Sequence, residues 1–192
     1  MTTILVNDQL DAFDLDAALA AMHPQRRQYL LRFRQASSQR AGAAAYMLLW
    51  RGLHELFGIA DPPLFAFAPY GKPFLPQRPD IHFGLSHCAD AAVCAISSRP
   101  IGIDVESPST YSPTLIPATM NADEAAAILA DPSPDRAFIE LWTRKEAYLK
   151  LTGTGLTDQL PHTLSEGLAC ACRFSTVQHP DGRYIYSVCQ FG

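Results

Sequence analysis

Two long stretches of the chain carry apolar residues at helical spacing. In the first, Leu49, Leu53 and Leu56 recur before Gly58, and Ser37 or Ser38 offers a capping hydroxyl, which predicts a helix over residues 37–57. In the second, Ser133 and Pro134 make a strong helix start and Gly153 a natural stop. On a wheel of that helix, Phe138, Leu141, Trp142 and Leu149 form one apolar stripe, and Lys145 falls inside it. A charge in a buried stripe breaks the pattern, and such breaks tend to mark sites. Glu146 and Lys150 stand one turn apart at the stripe's edge, in the orientation that favours an ion pair.

The shorter elements follow the same logic. Residues 4–6 read as a strand and residues 15–22 as a short helix; Pro24 then opens a basic helix with Arg26, Arg27, Arg32 and Arg34. Strand-like runs at 64–67, 81–85, 91–97 and 101–106 surround the turn Tyr70-Gly71-Lys72-Pro73 and read as an antiparallel meander. Residues 107–118, rich in Ser, Pro and Thr, read as a loop long enough to suspect function. A helix over 121–130 precedes the central helix, and strands at 168–174 and 184–190 flank the turn His179-Pro180-Asp181-Gly182. Each half thus runs strand, helices, antiparallel strands. The expected fold is α+β, with two similar halves, 1–100 and 101–192, each packing helices on a small antiparallel sheet.

Composition narrows the function. The 192 residues are 48% hydrophobic and 18% charged, which describes a globular chain with a real core. A net charge of −4 gives no support to general nucleic-acid binding, so any basic site must be local. Five cysteines, Cys88, Cys94, Cys170, Cys172 and Cys189, lie mostly in apolar runs without paired metal-ligand spacing and are expected to be reduced. The first residues lack a basic start followed by an apolar run, and no segment has the apolar length of a membrane span. The expectation is a cytoplasmic protein that contacts neither membrane nor nucleic acid.

Candidate chemistry sits at three places. In Gly102-Ile103-Asp104-Val105-Glu106 the two carboxylates share one face of a strand. Close carboxylates repel, and a divalent cation relieves the repulsion; oxygen-only ligands suit Mg²⁺ bound together with a phosphate. Ser86 and His87 are adjacent on a strand, so they point to opposite faces and cannot share a proton as a hydrolase pair; as separate donors to phosphate they make sense. Arg40, in the first turn of the first long helix, is repelled by the helix dipole unless an anion meets that helix end.

Taken in order, Gly71-Lys72-Pro73, Ser86-His87, Gly102-x-Asp104-x-Glu106 and Trp142-x-x-Lys145-Glu146-Ala147-x-x-Lys150 make the chain resemble a 4′-phosphopantetheinyl transferase. The resemblance is to the larger, Sfp-like type, in which one chain holds two related halves as a pseudo-dimer, and it runs over residues 24–156. It implies Mg²⁺-dependent transfer of phosphopantetheine from coenzyme A to a serine of an apo acyl or peptidyl carrier protein. Carried over by position, Asp104, Glu106 and Glu146 match the metal-site carboxylates. Lys72, Pro73, Ser86 and His87 match the part that holds the nucleotide and its 3′-phosphate, with Arg40 a looser match and Arg26 and Arg27 as additions. Lys145 and Lys150 match the basic residues facing the pyrophosphate; Glu146 is the expected acceptor of the serine proton, and Lys150 assists the departing 3′,5′-ADP. The family often has Asn where Gly84 stands. Two rival readings are a metal-dependent nuclease, disfavoured by the net charge, and a coenzyme A-binding module without catalysis. Tyr111, Leu115 and Ile116 of the 107–118 loop are the expected docking anchors for the carrier.

Overall fold

A computed structural model describes residues 2–155, 160–165 and 171–192. Strand β1 (Thr2–Asn7) leads into helices α1 (Leu15–Ala21), α2 (Pro24–Leu30) and α3 (Ala36–Phe57). A two-stranded hairpin, β2 (Ala66–Phe67) and β3 (Pro73–Phe74), precedes β4 (His82–His87), β5 (Ala92–Ser97) and β6 (Ile101–Glu106). Helices α4 (Ile116–Thr119), α5 (Ala122–Ala130) and α6 (Pro134–Thr152) follow, and β7 (Cys172–Gln178) and β8 (Ile185–Phe191) close the chain. The fold is mixed α+β, as expected.

The strands form two three-stranded antiparallel sheets, ordered β1-β5-β4 and β6-β8-β7. In each, the first strand pairs with the last. This corrects the meander: β6 leaves its neighbour β5 and pairs with β8, Asp104 opposite Ser187. The physical reason lies in the Arg99-Pro100 turn, which carries the chain from one sheet to the next, and in the all-apolar faces that then meet. Val93 and Ala95 of β5 pack on Ile101, Ile103 and Val105 of β6, with Ile4 and Val6 of β1 alongside.

Helix α3 covers the other face of the first sheet. Its alanine run 43–45 with Leu49 and Leu53 is wholly buried against Phe83, Cys94 and Ile96. It begins one residue before Ser37, at Ala36, with no side-chain cap, and Gly58 at a φ of 68° ends it as the sequence implies. Helix α6 covers the second sheet, and α5 packs on α6, opened by a capping box in which Asn121 and Glu124 satisfy each other's backbone N–H. The 107–118 stretch is not a bare loop: two single 3₁₀ turns lead into α4. The predicted strand over 168–174 begins at Cys172; its first part, with Cys170, lies outside the described residues. Among the described residues no helix is long and apolar enough to cross a membrane.

Candidate active site

The site is assembled by a close approach of α6 to β6. A Cβ placed on Gly102 would stand 1.9 Å from the Ala147 carbonyl oxygen and 2.4 Å from the Leu151 nitrogen. Backbone therefore lies on backbone, and only glycine fits. Alternation along β6 then turns Asp104 and Glu106 to the same side as Gly102, where Glu146 and Lys150 arrive from either side of Ala147 on the helix. Gly84 plays a similar part on β4. A Cβ there would stand 3.0 Å from the Ile103 side chain and 3.3 Å from its nitrogen, so this chain's glycine lets β4 press on β6 and present Ser86.

At the centre, the Lys150 ammonium donates to Asp104 Oδ1 at 2.5 Å and to Ser86 Oγ at 2.9 Å, while Ser86 Oγ donates to the same carboxylate oxygen at 2.8 Å. Asp104 is only 3% exposed, and its second oxygen, Oδ2, is buried without a hydrogen-bond partner among the described residues. Burial, then the Asp104 charge, pushes the Glu106 carboxyl up to about 7; Glu146 adds to the shift, while Lys150 and a hydrogen bond from Trp142 oppose it. Glu146 is raised for the same reasons, burial first and Asp104 second, against Lys150. Glu106 and Glu146 therefore stand beside the Asp104 carboxylate, whose charge adds to the effect of burial on both. Among the described residues no group of three His, Cys, Asp or Glu side chains is already drawn together as a chelate.

Beside this centre opens a cleft of about 280 Å³, lined by Tyr70, Gly71, Lys72 and Pro73 of the hairpin, by Phe83 and Leu85 of β4, and by Glu146 and Lys150. Lys72 and Pro73 thus line the cleft, but the Lys72 ammonium is engaged by protein. It donates to the Leu151 carbonyl at 2.7 Å, near the C-terminus of α6, and to the Ile101 carbonyl at 3.4 Å, and burial holds its pKa down. Tyr70, 74% exposed at the cleft mouth, was legible only as part of the turn.

His87 lies between the carboxylates and the first-half arginines. Burial lowers its pKa most, then Lys150 and Arg26, with Asp104 opposing. Its ring packs on α3: a Cβ at Gly42 would stand 2.7 Å from Leu30 Cδ2 and 3.5 Å from His87 Nε2. Arg26 is therefore brought to the site's edge, its guanidinium 4.8 Å from the Tyr29 ring centre, its pKa lowered by burial, and its Nε buried without a partner among the described residues. Arg40 sits in the second turn of α3 rather than the first; its Nε is likewise unpartnered, and its Nη1 is 3.9 Å from Asp11. Arg27 is exposed.

Lys145 does not face the site, which corrects the expectation that it meets a pyrophosphate. It is wholly buried on the opposite side of α6, its ammonium donating to the carbonyls of Thr119 at 2.8 Å, Pro161 at 2.8 Å and Leu160 at 3.3 Å and to Glu124 at 2.6 Å. On an α-helix, Lys145 and Glu146 are about 100° apart, so one cannot follow the other into the same cleft. Two of the three expected docking anchors pack inward. Tyr111 packs on Phe138 with ring centres 5.4 Å apart and Ile116 is 5% exposed, leaving Leu115 at the surface.

Comparison with known proteins gives the family of the chain. Residues 100–189 match the family profile described as the 4′-phosphopantetheinyl transferase superfamily, a span that holds β6 and α6. A Bacillus subtilis 4′-phosphopantetheinyl transferase is 30% identical over 159 residues, covering 80% of this chain and 70% of the relative. The Bacillus pumilus 4′-phosphopantetheinyl transferase psf-1 is 33% identical over 129 residues, 66% of this chain and 55% of its own length. The Sfp protein of Bacillus subtilis strain 168 is 36% identical over 95 residues, 48% of this chain and 42% of its own.

Proposed function

Because the chain belongs to the 4′-phosphopantetheinyl transferase superfamily, we propose that it transfers phosphopantetheine from coenzyme A to a serine of an apo acyl or peptidyl carrier protein and releases 3′,5′-ADP. The observation that carries this reading is the meeting of Asp104, Glu106, Glu146 and Lys150 beside the cleft that Lys72 and Pro73 line. We read residues 1–100 and 101–192 as two like halves, supported by the shared strand order, first with last, of their sheets.

In the transfer, the serine oxygen bonds to the phosphorus bearing the pantetheine arm, and the bond to the bridging pyrophosphate oxygen breaks. Such reactions depend on positioning and charge neutralisation more than on covalent help. Glu146 takes the serine proton, suited to that by a carboxyl raised above the ordinary range. Lys150, already a donor to Asp104 and Ser86, balances the charge on the departing phosphate. His87 and Arg26 at the first-half flank, and Arg40 on α3, are the candidates for the 3′-phosphate, with two unpartnered guanidinium nitrogens among the described residues. Lys72 acts from behind the cleft wall, tying the hairpin to the end of α6.

The residues fit Mg²⁺: Asp104 keeps an unpartnered buried oxygen, and Glu106 and Glu146 are raised by burial first and then by the Asp104 charge, a repulsion that a cation relieves. Asp104, Glu106 and Glu146 would hold it, and its chemistry there is charge neutralisation of the pyrophosphate. Activity is expected to vanish with EDTA and return with Mg²⁺, and Glu146→Ala is expected to lower the transfer rate about 10² to 10⁴-fold with the fold intact. A Glu146→Ala enzyme with near-normal turnover removes the base assignment.

A further inference from the structure

The charge of this chain is unevenly placed. Between Asp16 and Glu55 there is no acidic residue but six arginines, leaving nine basic against nineteen acidic side chains for the rest of a chain of net charge −4. Of the six, Arg26 turns inward to the flank of the site, Arg40 reaches toward Asp11, and Arg51 pairs with Glu55. Arg32 and Arg34, in the turn after α2, are exposed and form no ion pair with another described residue. Beside them Leu31 is 54% exposed, one turn of helix from Arg27, which is exposed too.

Helix α2 divides along its length. Leu30 is fully buried and touches the same glycine of α3 as the His87 ring, so the inner face of α2 belongs to the site's wall. The outer face, one residue on, turns Leu31 and its arginines to solvent. An exposed apolar side chain with unpaired like charges beside it along the chain, on a helix whose inner face meets the His87 wall, has the build of an interface: an anchor with a charged rim.

We propose that this face, Leu31 with Arg27, Arg32 and Arg34, is where the carrier protein docks, through an acidic surface that brings its serine to the adjoining cleft. The proposal rests on the transfer reaction above. The remainder of the molecule is strongly acidic and repels such a partner, so attraction is confined to the one basic face and orients the encounter. This replaces the 107–118 stretch, whose aromatic and isoleucine anchors are spent on the core.

The test uses the full chain, an apo carrier that the wild type modifies, and the double variant Arg32→Glu/Arg34→Glu. At low salt the carrier KM is expected to rise about tenfold, with kcat and the coenzyme A KM unchanged, and the gap is expected to shrink as salt is raised. Acid-to-lysine changes on the carrier's docking surface are expected to restore the variant and impair the wild type. An unchanged carrier KM, or no such exchange of preference, overturns the docking surface while leaving the transfer reaction standing. A wild type that modifies no apo carrier overturns both. If the double variant loses affinity for an RNA oligonucleotide or for phosphatidylserine vesicles while its carrier KM stays, the face serves another polyanion and the proposal fails. Should the double variant not fold, Arg34→Gln read in the same assay carries the same two outcomes, with a KM change of about threefold.

Discussion

Lys145 and Lys150 lie five residues apart on one helix, and their fates differ because one is enclosed by backbone carbonyls and Glu124 while the other stays part-exposed beside Asp104 and Ser86. Lys145 is wholly buried, paired with Glu124 and capped by three backbone oxygens, whereas Lys150 keeps a third of its side chain in solvent beside Asp104. Removing one partner of a buried pair leaves the other charged and alone, so Lys145→Met is expected to cost about 3–5 kcal/mol in urea unfolding. Lys150→Met is expected to unfold near the wild-type midpoint yet lose about 10² to 10³ in transfer rate. Equal stability of the two variants contradicts the division of roles. At the first-half flank, wild-type protein is expected to bind dephospho-coenzyme A more weakly than coenzyme A, and His87→Ala to narrow that gap, since charge-assisted bonds to phosphate contribute about 1.5–3 kcal/mol each. Calorimetry with both ligands checks it, and equal affinities of the wild type take the 3′-phosphate away from this flank. The anomaly of Lys145 was legible as a charge in an apolar stripe, but its meaning was not. Its cage is built by residues 119, 124, 160 and 161, which no periodicity ties to it.

Among the elements, α6 and β6 carry the site, and their contact depends on one missing side chain. Gly102→Ala is expected to destabilise the fold by more than about 3 kcal/mol, above the usual overpacking range, because the obstacle is the Ala147 carbonyl rather than a movable side chain. Thermal unfolding of that variant measures it; a wild-type melting temperature contradicts the backbone contact. Element positions were readable where local chemistry is strong: Pro134 and Gly153 bound α6, and β6 spans Ile101–Glu106 as its alternation implies. Partners were not, since β6 pairs with a strand some eighty residues away and alternation does not encode which edge a strand joins. For the same reason the 107–118 stretch read as a loop. Its 3₁₀ turns and α4 are held by packing on Phe138 and α6, not by their own propensity.

On the scale of the whole molecule, two sheets meet through Val93, Ile103 and Val105, and each keeps a long helix on its far side. The candidate site lies where β4, at the edge of one sheet, presses on β6, at the edge of the other, so it draws Ser86 and His87 from β4 and the carboxylates and Lys150 from β6 and α6. Neither sheet with its helix holds the full set. Whether this shared centre moves phosphopantetheine is tested most directly by intact-mass spectrometry of apo carrier proteins incubated with the full chain, coenzyme A and Mg²⁺. The expected result is a gain of one phosphopantetheine group on a carrier serine with one 3′,5′-ADP released per group transferred, and no gain with Asp104→Ala. A folded wild-type chain that leaves every apo carrier at its original mass, or an Asp104→Ala chain that modifies them as fast as the wild type, would contradict it.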